Sequence, residues 1–290
     1  MFNFRRIRWA LRKVSLPIKS SGLVLDVGSG GFPYPRADVL LDRLTGSEHR
    51  NGDSMMIDRP TVFGDAQKMP FKDKAFDFVI ASHILEHMSS PENFLVEIQR
   101  VGKAGYIETP NIFFERFFPY NIHCLEVMYI GGALHIHKKH GPIEDSFLGS
   151  LNMLCNDPKW SKYFINNPDM FHVRYFWNDK INYKIDNPEI SSDWIERINA
   201  ESQVSEAKVS YAHREKGWRS SGLNMLNRWH SFLRVRRLKH FDLLSILVCP
   251  DCHGQLRQQD HWLTCEGCQI SYQYNGIPDF TIKYPNHQKS

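Results

Sequence analysis

The stretch Leu23-Val24-Leu25-Asp26-Val27-Gly28-Ser29-Gly30-Gly31 decides the fold of this chain. Its mostly apolar first half predicts a buried strand, and the glycines that follow predict a tight turn at the carboxyl end of that strand. Because glycine has no Cβ, the backbone of such a turn can come close to a ligand. The stretch therefore predicts a ligand-binding loop at the edge of a parallel sheet.

Two common glycine-loop signatures are absent from the sequence. A dinucleotide fingerprint needs its third glycine at position 33, where the chain has Pro33, and no Gly-Lys-Ser/Thr pattern of a phosphate-binding loop occurs. The loop therefore does not favour a nicotinamide, a flavin or a nucleoside triphosphate.

Short apolar runs recur along the residues after the loop. A helix is predicted at Pro91–Val101, because Ser90 can cap it and apolar residues then recur at helical spacing. Strands that alternate with crossovers predict a doubly wound α/β sheet. Only residues 31–36 separate the glycine loop from the next strand, too few for a crossover helix, so the first crossover is predicted to be shortened. The predicted strands are Leu23–Val27, Ala37–Leu41, Thr61–Phe63, Phe76–Ala81 and Tyr106–Glu108.

Several short motifs follow one another in order between residues 23 and 110. They are Asp26-Val27-Gly28-Ser29-Gly30, Asp65-Ala66, Pro70-Phe71, Phe76-Asp77-Phe78-Val79, Ser82-His83-Ile84-Leu85-Glu86-His87 and Gly105. Each motif is weak by itself, but the ordered set resembles the class I S-adenosylmethionine-dependent methyltransferases of the branch called type 11. The alternative is a doubly wound domain whose glycines only form a tight turn.

The resemblance implies a Rossmann-like sheet that binds S-adenosylmethionine and transfers its methyl group. It also implies a role for each matching residue. Asp26, Gly28 and Gly30 would border the methionine part, and Asp42 would accept the ribose hydroxyls. Asp65 would meet the adenine amino group, and the backbone N–H of Ala66 would meet a ring nitrogen. Ser82 and His83 complete the predicted cofactor-binding set.

Methyl transfer from a sulfonium is an in-line displacement with a good leaving group, so proximity and alignment can supply most of the catalysis. A base is needed only when the acceptor is a hydroxyl, an amide or a protonated amine. His87, Glu108 and His123 are the candidates for such a catalytic group. For His87 the alternative is a role in shaping the cofactor pocket, and for Glu108 it is a solvated turn carboxylate.

Three further histidines occur close together at positions 135, 137 and 140. His135 and His137 alternate, so they point to one side of a strand. Since no carboxylate stands at a convincing spacing, we interpret them as a polar strand face rather than as metal ligands.

Four of the six cysteines fall within twenty residues near the carboxyl end. Two Cys-x-x-Cys knuckles, Cys249/Cys252 and Cys265/Cys268, can present four thiolates to one tetrahedral zinc ion, with an iron centre as the rival. Residues 243–283 resemble the small zinc-ribbon proteins that activate RNA and protein methyltransferases. The resemblance extends beyond the cysteines to Gly276-Ile277-Pro278. It implies a fused ribbon that packs on its own methyltransferase domain, although a purely structural or substrate-recruiting ribbon stays open.

The charge is uneven along the 290 residues. Residues 1–25 hold six Lys/Arg and residues 228–240 hold five, with no Asp/Glu in either segment, which leaves 25 basic against 32 acidic residues elsewhere. Such an acidic body argues against a uniformly basic nucleic-acid binder. The predicted organisation is a basic segment at 1–21 with an amphipathic helix over 1–17, a methyltransferase domain at 22–227 with an insertion or lid at 111–227, a basic connector at 228–242 and the ribbon at 243–283.

Together these features predict a methyltransferase whose acceptor the sequence does not name. A saccharide or glycan precursor is favoured, because the body is acidic and the insertion is aromatic. RNA or a translation protein is an alternative, as is a non-catalytic S-adenosylmethionine-binding scaffold. A cytoplasmic location is expected, with contact between residues 1–17 and the inner face of a membrane left open. We also expect residues 1–17 to pack near the shortened crossover.

Overall fold

The computed structural model describes residues 16–43, 56–142, 157–202 and 218–285. Among these, two compact units can be distinguished. The ribbon unit comprises residues 17–43, 56–80, 92–105 and 218–285, and the insertion unit comprises chiefly residues 81–91 and 106–202. No helix in the described ranges is long and apolar enough to cross a lipid bilayer.

The ribbon unit is built on a parallel sheet. Its first strands are β1 (Val24–Val27), β2 (Val39–Asp42) and β3 (Thr61–Phe63), followed by β4 (Phe78–Ser82), which continues into the insertion unit. The order is β3-β2-β1-β4, and β2 pairs in parallel with both β1 and β3. β1 is buried along its whole length, as its apolar sequence predicts. The Rossmann-like sheet expected from the sequence is confirmed.

The one predicted helix of the sheet is also confirmed. α1 spans Pro91–Val101, with Pro91 at its first position, and β5 (Ala104–Pro110) follows it. The apolar residues of α1 at helical spacing are all fully buried: Phe94, Leu95, Ile98 and Val101. Every predicted strand lies within two residues of an observed one.

The first crossover is short and contains no helix, as the sequence predicts. Its last residue, Asp38, is completely buried and is held by three donors. The backbone N–H of Val24 donates to it at 3.1 Å, Arg36 Nη1 at 2.7 Å and Arg237 Nη2 at 2.6 Å. A buried carboxylate is tolerated only when it is paired, so these three contacts hold the short crossover in place.

Arg237 belongs to a helix that the sequence analysis described only as a basic connector. This helix, α5, spans Trp218–Arg237 and therefore crosses the boundary predicted between residues 227 and 228. Its Arg234 donates to the carbonyl oxygen of Pro35 at 3.3 Å and lies 3.7 Å from Asp58. Burial and the nearby Arg59 lower the pKa of Arg234 to about 10, so it stays charged at neutral pH. The segment is thus packed against the crossover and is not a free tether.

The amphipathic helix predicted at residues 1–17 lies outside the described residues, apart from its last two positions. Its packing near the crossover stays a prediction. α5 does expose apolar side chains at helical spacing, namely Met225, Trp229, Phe232 and Val235.

The elements of the insertion unit are α2 (Ile112–Phe117), β6 (Leu125–Ile130), β7 (Ala133–Lys138), α3 (Pro158–Asn166), β8 (His172–Asn178), β9 (Tyr183–Ile185) and α4 (Trp194–Ser202). Three of these strands form a second sheet in the order β6-β7-β9. The sequence also suggests hairpins at Gly132–His137 and Val173–Ile185. The first is formed by β6 and β7, with Gly131 and Gly132 at positive φ in its turn. The second is wrong, because β8 lies beside β5 whereas β9 pairs with β7 in parallel.

The carboxyl-terminal ribbon consists of four antiparallel strands: β10 (Leu256–Gln259), β11 (Trp262–Cys265), β12 (Ile270–Tyr274) and β13 (Pro278–Pro285). β13 also pairs in parallel with β3, with Asp279 opposite Phe63. A second junction joins Val248 N–H to the carbonyl oxygen of Pro70 at 3.1 Å and Lys72 N–H to that of Ile246 at 2.9 Å. The ribbon therefore extends the sheet and covers its β3 edge.

The substitution Asp38→Ala is expected to lower the free energy of unfolding by about 3–5 kcal/mol, because it leaves the buried Arg36 and the partly buried Arg237 without their shared carboxylate. Chemical denaturation measures this loss. The control Asp73→Ala removes an ion pair with Arg100 in which Asp73 is 74% exposed, so it should cost no more than about 1 kcal/mol. Equal effects of the two substitutions would contradict the role assigned to Asp38.

Candidate functional site

The glycine loop lies at the carboxyl ends of β1 and β2 in the ribbon unit. Gly28 (φ +70°) and Gly30 (φ +53°) both adopt left-handed backbone conformations that a side chain would strain. The N–H of Gly28 donates to the carbonyl oxygen of Leu41 at 2.8 Å, and the N–H of Gly30 donates to Asp42 Oδ2 at 2.9 Å. The carboxylate predicted to meet a ribose is thereby fixed against the loop.

The other predicted cofactor residues of this unit also lie near these strand ends. Asp26 is buried, and its Oδ2 accepts the N–H of Tyr34 at 2.8 Å, so this carboxylate also anchors the short crossover. The side-chain oxygen of Ser29 is buried and has no hydrogen-bond partner among the described residues. Asp65 and Ala66 directly follow Gly64, whose N–H donates to the carbonyl oxygen of Asp42 at 2.9 Å. Ser82 and His83 belong to the insertion unit.

His83 is held between two buried carboxylates of the insertion unit. It has a positive φ of 56°, and its N–H donates to the carbonyl oxygen of Glu108 at 2.7 Å. Its Nδ1 lies 3.3 Å from Glu86 Oε1 and its Nε2 lies 3.4 Å from Glu108 Oε1. Burial disfavours the charged ring, but the two carboxylates outweigh it and raise the pKa of His83 to about 9. Burial alone would raise the pKa of Glu86, yet hydrogen bonding and charge attraction from His83 hold it at about 2.

Three further residues complete this network, and none of them was predicted from the sequence as a site residue. Thr109 Oγ1 donates to Glu86 Oε2 at 2.9 Å, the Tyr106 hydroxyl donates to Glu108 Oε2, and Arg174 Nε donates to the Tyr106 oxygen at 3.0 Å. Tyr106 and Glu108 are two residues apart on β5, so strand periodicity could have placed them on one face. Arg174 comes from β8 and has no local signal.

The structure brings the candidates His87 and His123 together. Their ring centroids are 4.7 Å apart at an interplanar angle of 85°. His87 Nδ1 donates to the carbonyl oxygen of Ile122 at 2.7 Å, and burial lowers the pKa of His87 to about 4. His123 Nδ1 lies 2.5 Å from Glu115 Oε1, whose other oxygen accepts from Lys139 Nζ at 2.7 Å.

Glu108, the third catalytic candidate, is completely buried and lies on the opposite side of the His83 ring from Glu86. The alternative of a solvated turn carboxylate is therefore wrong for this residue. Its buried position follows from β5, whose residues 105–110 are all buried.

His135 and His137 project from β7 beside Asp186 and Asn187. His135 Nδ1 lies 3.4 Å from Asp186 Oδ1, and His137 Nε2 lies 3.4 Å from Asn187 Nδ2. Within the described ranges they do not belong to any group of three closely spaced ligand atoms. This agrees with a polar strand face.

The four ribbon cysteines converge on one point. Their sulfur atoms all lie within 4.8 Å of one another, with 3.6 Å between Cys249 and Cys268 and 3.3 Å between Cys252 and Cys265. A tetrahedral ion with Zn–S bonds of about 2.3 Å needs sulfurs about 3.8 Å apart, so the four thiolates fit zinc closely. A Cβ at Gly254 would lie 3.1 Å from the sulfur of Cys265 and 3.2 Å from that of Cys252, which explains the glycine beside the first knuckle.

Two family models match the chain. The model described as "Methyltransferase domain" matches residues 38–107, and the model described as "Trm112p-like protein" matches residues 240–273. The first range covers the parallel strands β2–β4 with α1, and the second covers β10, β11 and both cysteine knuckles of the ribbon. The chain contains a methyltransferase domain and a Trm112p-like domain.

Curated methyltransferases match parts of the chain. The ubiquinone/menaquinone biosynthesis C-methyltransferase UbiE of Burkholderia mallei is 29% identical over 101 residues, which is 30% of this chain and 42% of that protein. Ajmaline N-methyltransferase of Rauvolfia serpentina is 45% identical over 42 residues, 14% of each chain. The chain thus spans less than half the length of these relatives.

Solved structures with partial similarity include a methyltransferase from Bacillus halodurans, with 21% identity over 42% of this chain and 69% of that chain at a TM-score of 0.31. Another is a chain from the complex between the Haloferax volcanii Trm112 methyltransferase activator and a methyltransferase. It has 18% identity over 38% of this chain and 60% of that chain, at a TM-score of 0.28.

The substitution Asp42→Ala in the methyltransferase domain is expected to weaken S-adenosylmethionine binding at least tenfold, about 1.4 kcal/mol, because it removes both a ribose acceptor and the partner of Gly30 N–H. Isothermal titration measures the affinity, and a thermal melt shows that the variant is folded. Asp73→Ala serves again as the surface control. An unchanged affinity in Asp42→Ala would exclude the ribose role.

The substitution Cys265→Ser in the Trm112p-like domain is expected to remove the ion held by the ribbon and to lower the melting temperature, because coordination supplies stability that so small a unit lacks. Metal analysis and thermal melts test both effects. Glu266→Ala, at the exposed neighbouring position, should leave both unchanged. A wild-type ribbon that is fully stable without metal would contradict this expectation.

Proposed function

We propose that this chain is an S-adenosylmethionine-dependent methyltransferase. The observation that carries the proposal is the glycine loop of the methyltransferase domain, with two left-handed glycines and the Asp42 carboxylate fixed beside Gly30. The hydroxyl of Ser29 in the same loop is buried and finds no hydrogen-bond partner within the part of the chain that the structure describes, so it is a further polar group available to a bound molecule. Asp42 would hold the ribose, and Asp65 with the Ala66 N–H would hold the adenine.

S-adenosylmethionine, when bound, supplies a methyl group on a positively charged sulfur. Transfer of this methyl carbon to a nucleophilic atom of the acceptor would leave S-adenosylhomocysteine as the second product. The protein mainly has to align the acceptor with that carbon. A hydroxyl acceptor would also give up a proton, for which His87, Glu108 and His123 remain the proposed catalytic candidates.

We propose in addition that the Trm112p-like ribbon supports this enzyme from within the same chain, with zinc at its four cysteines. Two junctions carry this idea. β13 pairs with β3, and Val248 bonds to Pro70 within the Pro70-Phe71 motif of the methyltransferase domain. Leu247, also buried, forms a bridge with Phe71. The ribbon thereby stabilises the loop that contains Pro70 and Phe71, which follows shortly after the proposed adenine-binding residues.

The acceptor that we favour is a saccharide or glycan precursor. The insertion unit exposes aromatic side chains around α2, including Phe113, Phe117 and Tyr120, and aromatic faces suit the apolar faces of sugar rings. Phe113 and Phe117 lie 4.7 Å apart between ring centroids, so they form a continuous surface. RNA or a translation protein is the second candidate, which the Trm112p-like domain favours.

Transfer of radiolabelled methyl groups from S-adenosylmethionine into fractionated glycan, RNA and protein pools tests the proposal. Label in the glycan pool is the expected result, and label in RNA or protein would instead support the second candidate. The Asp42→Ala variant should transfer at least tenfold less label into whichever pool is modified.

Binding of S-adenosylmethionine without transfer into any pool would indicate a non-catalytic scaffold. Absence of binding by the folded wild-type chain would contradict the proposed function altogether. Isothermal titration on the same preparation separates these two outcomes.

A further inference from the structure

A second group of metal-ligating side chains lies in the insertion unit. Ligand atoms of Glu86, His87 and His123 all lie within 4.8 Å of one another. In the described part of the chain, only this triad and the four ribbon cysteines bring three or more such atoms that close. The triad belongs neither to the glycine loop nor to the ribbon.

We propose that Glu86, His87 and His123 form a site for a divalent transition-metal ion such as Zn²⁺ or Fe²⁺. Two imidazole nitrogens and one carboxylate are a donor set that these ions accept readily. Three protein ligands leave coordination positions open, so the ion can also take water or a small oxygen-containing ligand. The proposal does not depend on methyl transfer. With an ion bound, His87 and His123 would act as its ligands, and Glu108 would be the remaining candidate base.

Both histidines are oriented as metal ligands usually are. His87 Nδ1 donates to the backbone carbonyl of Ile122 at 2.7 Å, and His123 Nδ1 lies 2.5 Å from the Glu115 carboxylate. With each Nδ1 engaged in this way, Nε2 is the nitrogen left to bind an ion. A carbonyl and a carboxylate behind the ligating imidazoles are the typical outer partners of histidine metal sites.

The two oxygen atoms of the Glu86 carboxylate have different partners. Its Oε2 accepts from Thr109 Oγ1 at 2.9 Å, which fixes the carboxylate plane. Its Oε1 is buried and faces His83 Nδ1 at 3.3 Å, a longer contact than the one with Thr109. A carboxylate oxygen in this position can still accept a cation as a further partner.

Backbone contacts hold the three ligands in place. Glu86 and His87 are adjacent in the short 3-10 helix Leu85–His87. The N–H of Cys124 donates to the carbonyl oxygen of Glu86 at 2.8 Å, which places His123 beside that helix. The charged neighbours are His83 and Glu108 on one side and the Glu115–Lys139 ion pair on the other, where Lys139 Nζ bonds to Glu115 at 2.7 Å. The geometry is therefore set before any ion binds.

Metal content of the full-length protein, measured by mass spectrometry after equilibration with Zn²⁺, tests the site. The wild type should bind one equivalent more than its ribbon holds. His87→Ala and His123→Ala should each lose that equivalent and keep the ribbon ion, whereas Cys265→Ser should show the reverse. His135→Ala, on β7 of the same unit, is the matched control and should keep both ions.

Two outcomes would overturn the proposal. One is a wild type that takes up only the ribbon ion from Zn²⁺, Fe²⁺ or Co²⁺. The other is a second ion that persists in folded His87→Ala and His123→Ala proteins. If both alanine variants fail to fold, Glu86→Gln replaces them, because it keeps the size of the side chain and its contact with Thr109.

Glu115 is inferred to be a positioning residue for His123. Glu115→Gln should weaken Zn²⁺ binding at the triad by about 10–100-fold, in line with other outer partners of ligating histidines. A purely structural Glu115 would lower the melting temperature and leave the affinity unchanged, so titration and melting distinguish the two roles. Because these measurements need no S-adenosylmethionine, they fail or succeed independently of the proposed methyl transfer.

Discussion

The ribbon unit depends on the neutralisation of one buried carboxylate. Asp38 stands where a crossover helix would normally separate β1 from β2, and it has no access to water. Its charge is balanced by Arg36 from the crossover and by Arg237 from the far end of α5, 199 residues away in sequence. Since an unpaired buried charge is strongly unfavourable, the short crossover and α5 are stable only together.

The same principle organises the insertion unit. Glu86, Glu108 and Glu115 are all buried, and each is matched by a nearby basic or hydrogen-bonding side chain from another segment, namely Thr109, His83 and Lys139 respectively. Such pairing costs desolvation energy, but it allows few alternative arrangements, because any displaced carboxylate would lose its partner inside the protein. Precise placement of His83, His87 and His123 follows from this.

The sequence predicted those features that depend on local pattern. β3 and α1 occur at the predicted residues, because apolar spacing and a capping Ser-Pro pair determine them within a few positions. The cysteine knuckles could also be predicted from the sequence, because two cysteines three residues apart place both sulfur atoms beside one ion. α5 was not recognised as a packed helix, because its importance comes from Arg234 and Arg237 meeting residues near position 38.

The same reason explains why several partners of the buried histidines and glutamates were not predicted. Arg174, Glu115 and Lys139 reach these side chains from separate elements, and no spacing in the sequence relates them. The pairing of β9 with β7 instead of β8 is likewise a long-range choice. His87 and His123 were both selected for their chemistry, but their contact across 36 positions follows from the bond between Cys124 and Glu86.

The union of β13 with β3 has a thermodynamic consequence for the Trm112p-like domain. A separate activator subunit would lose translational and rotational freedom on binding, and its occupancy would fall on dilution. A ribbon attached through α5 instead meets β3 at an effective concentration that can reach the millimolar range and does not change with expression level. The sheet edge is therefore covered at any protein concentration.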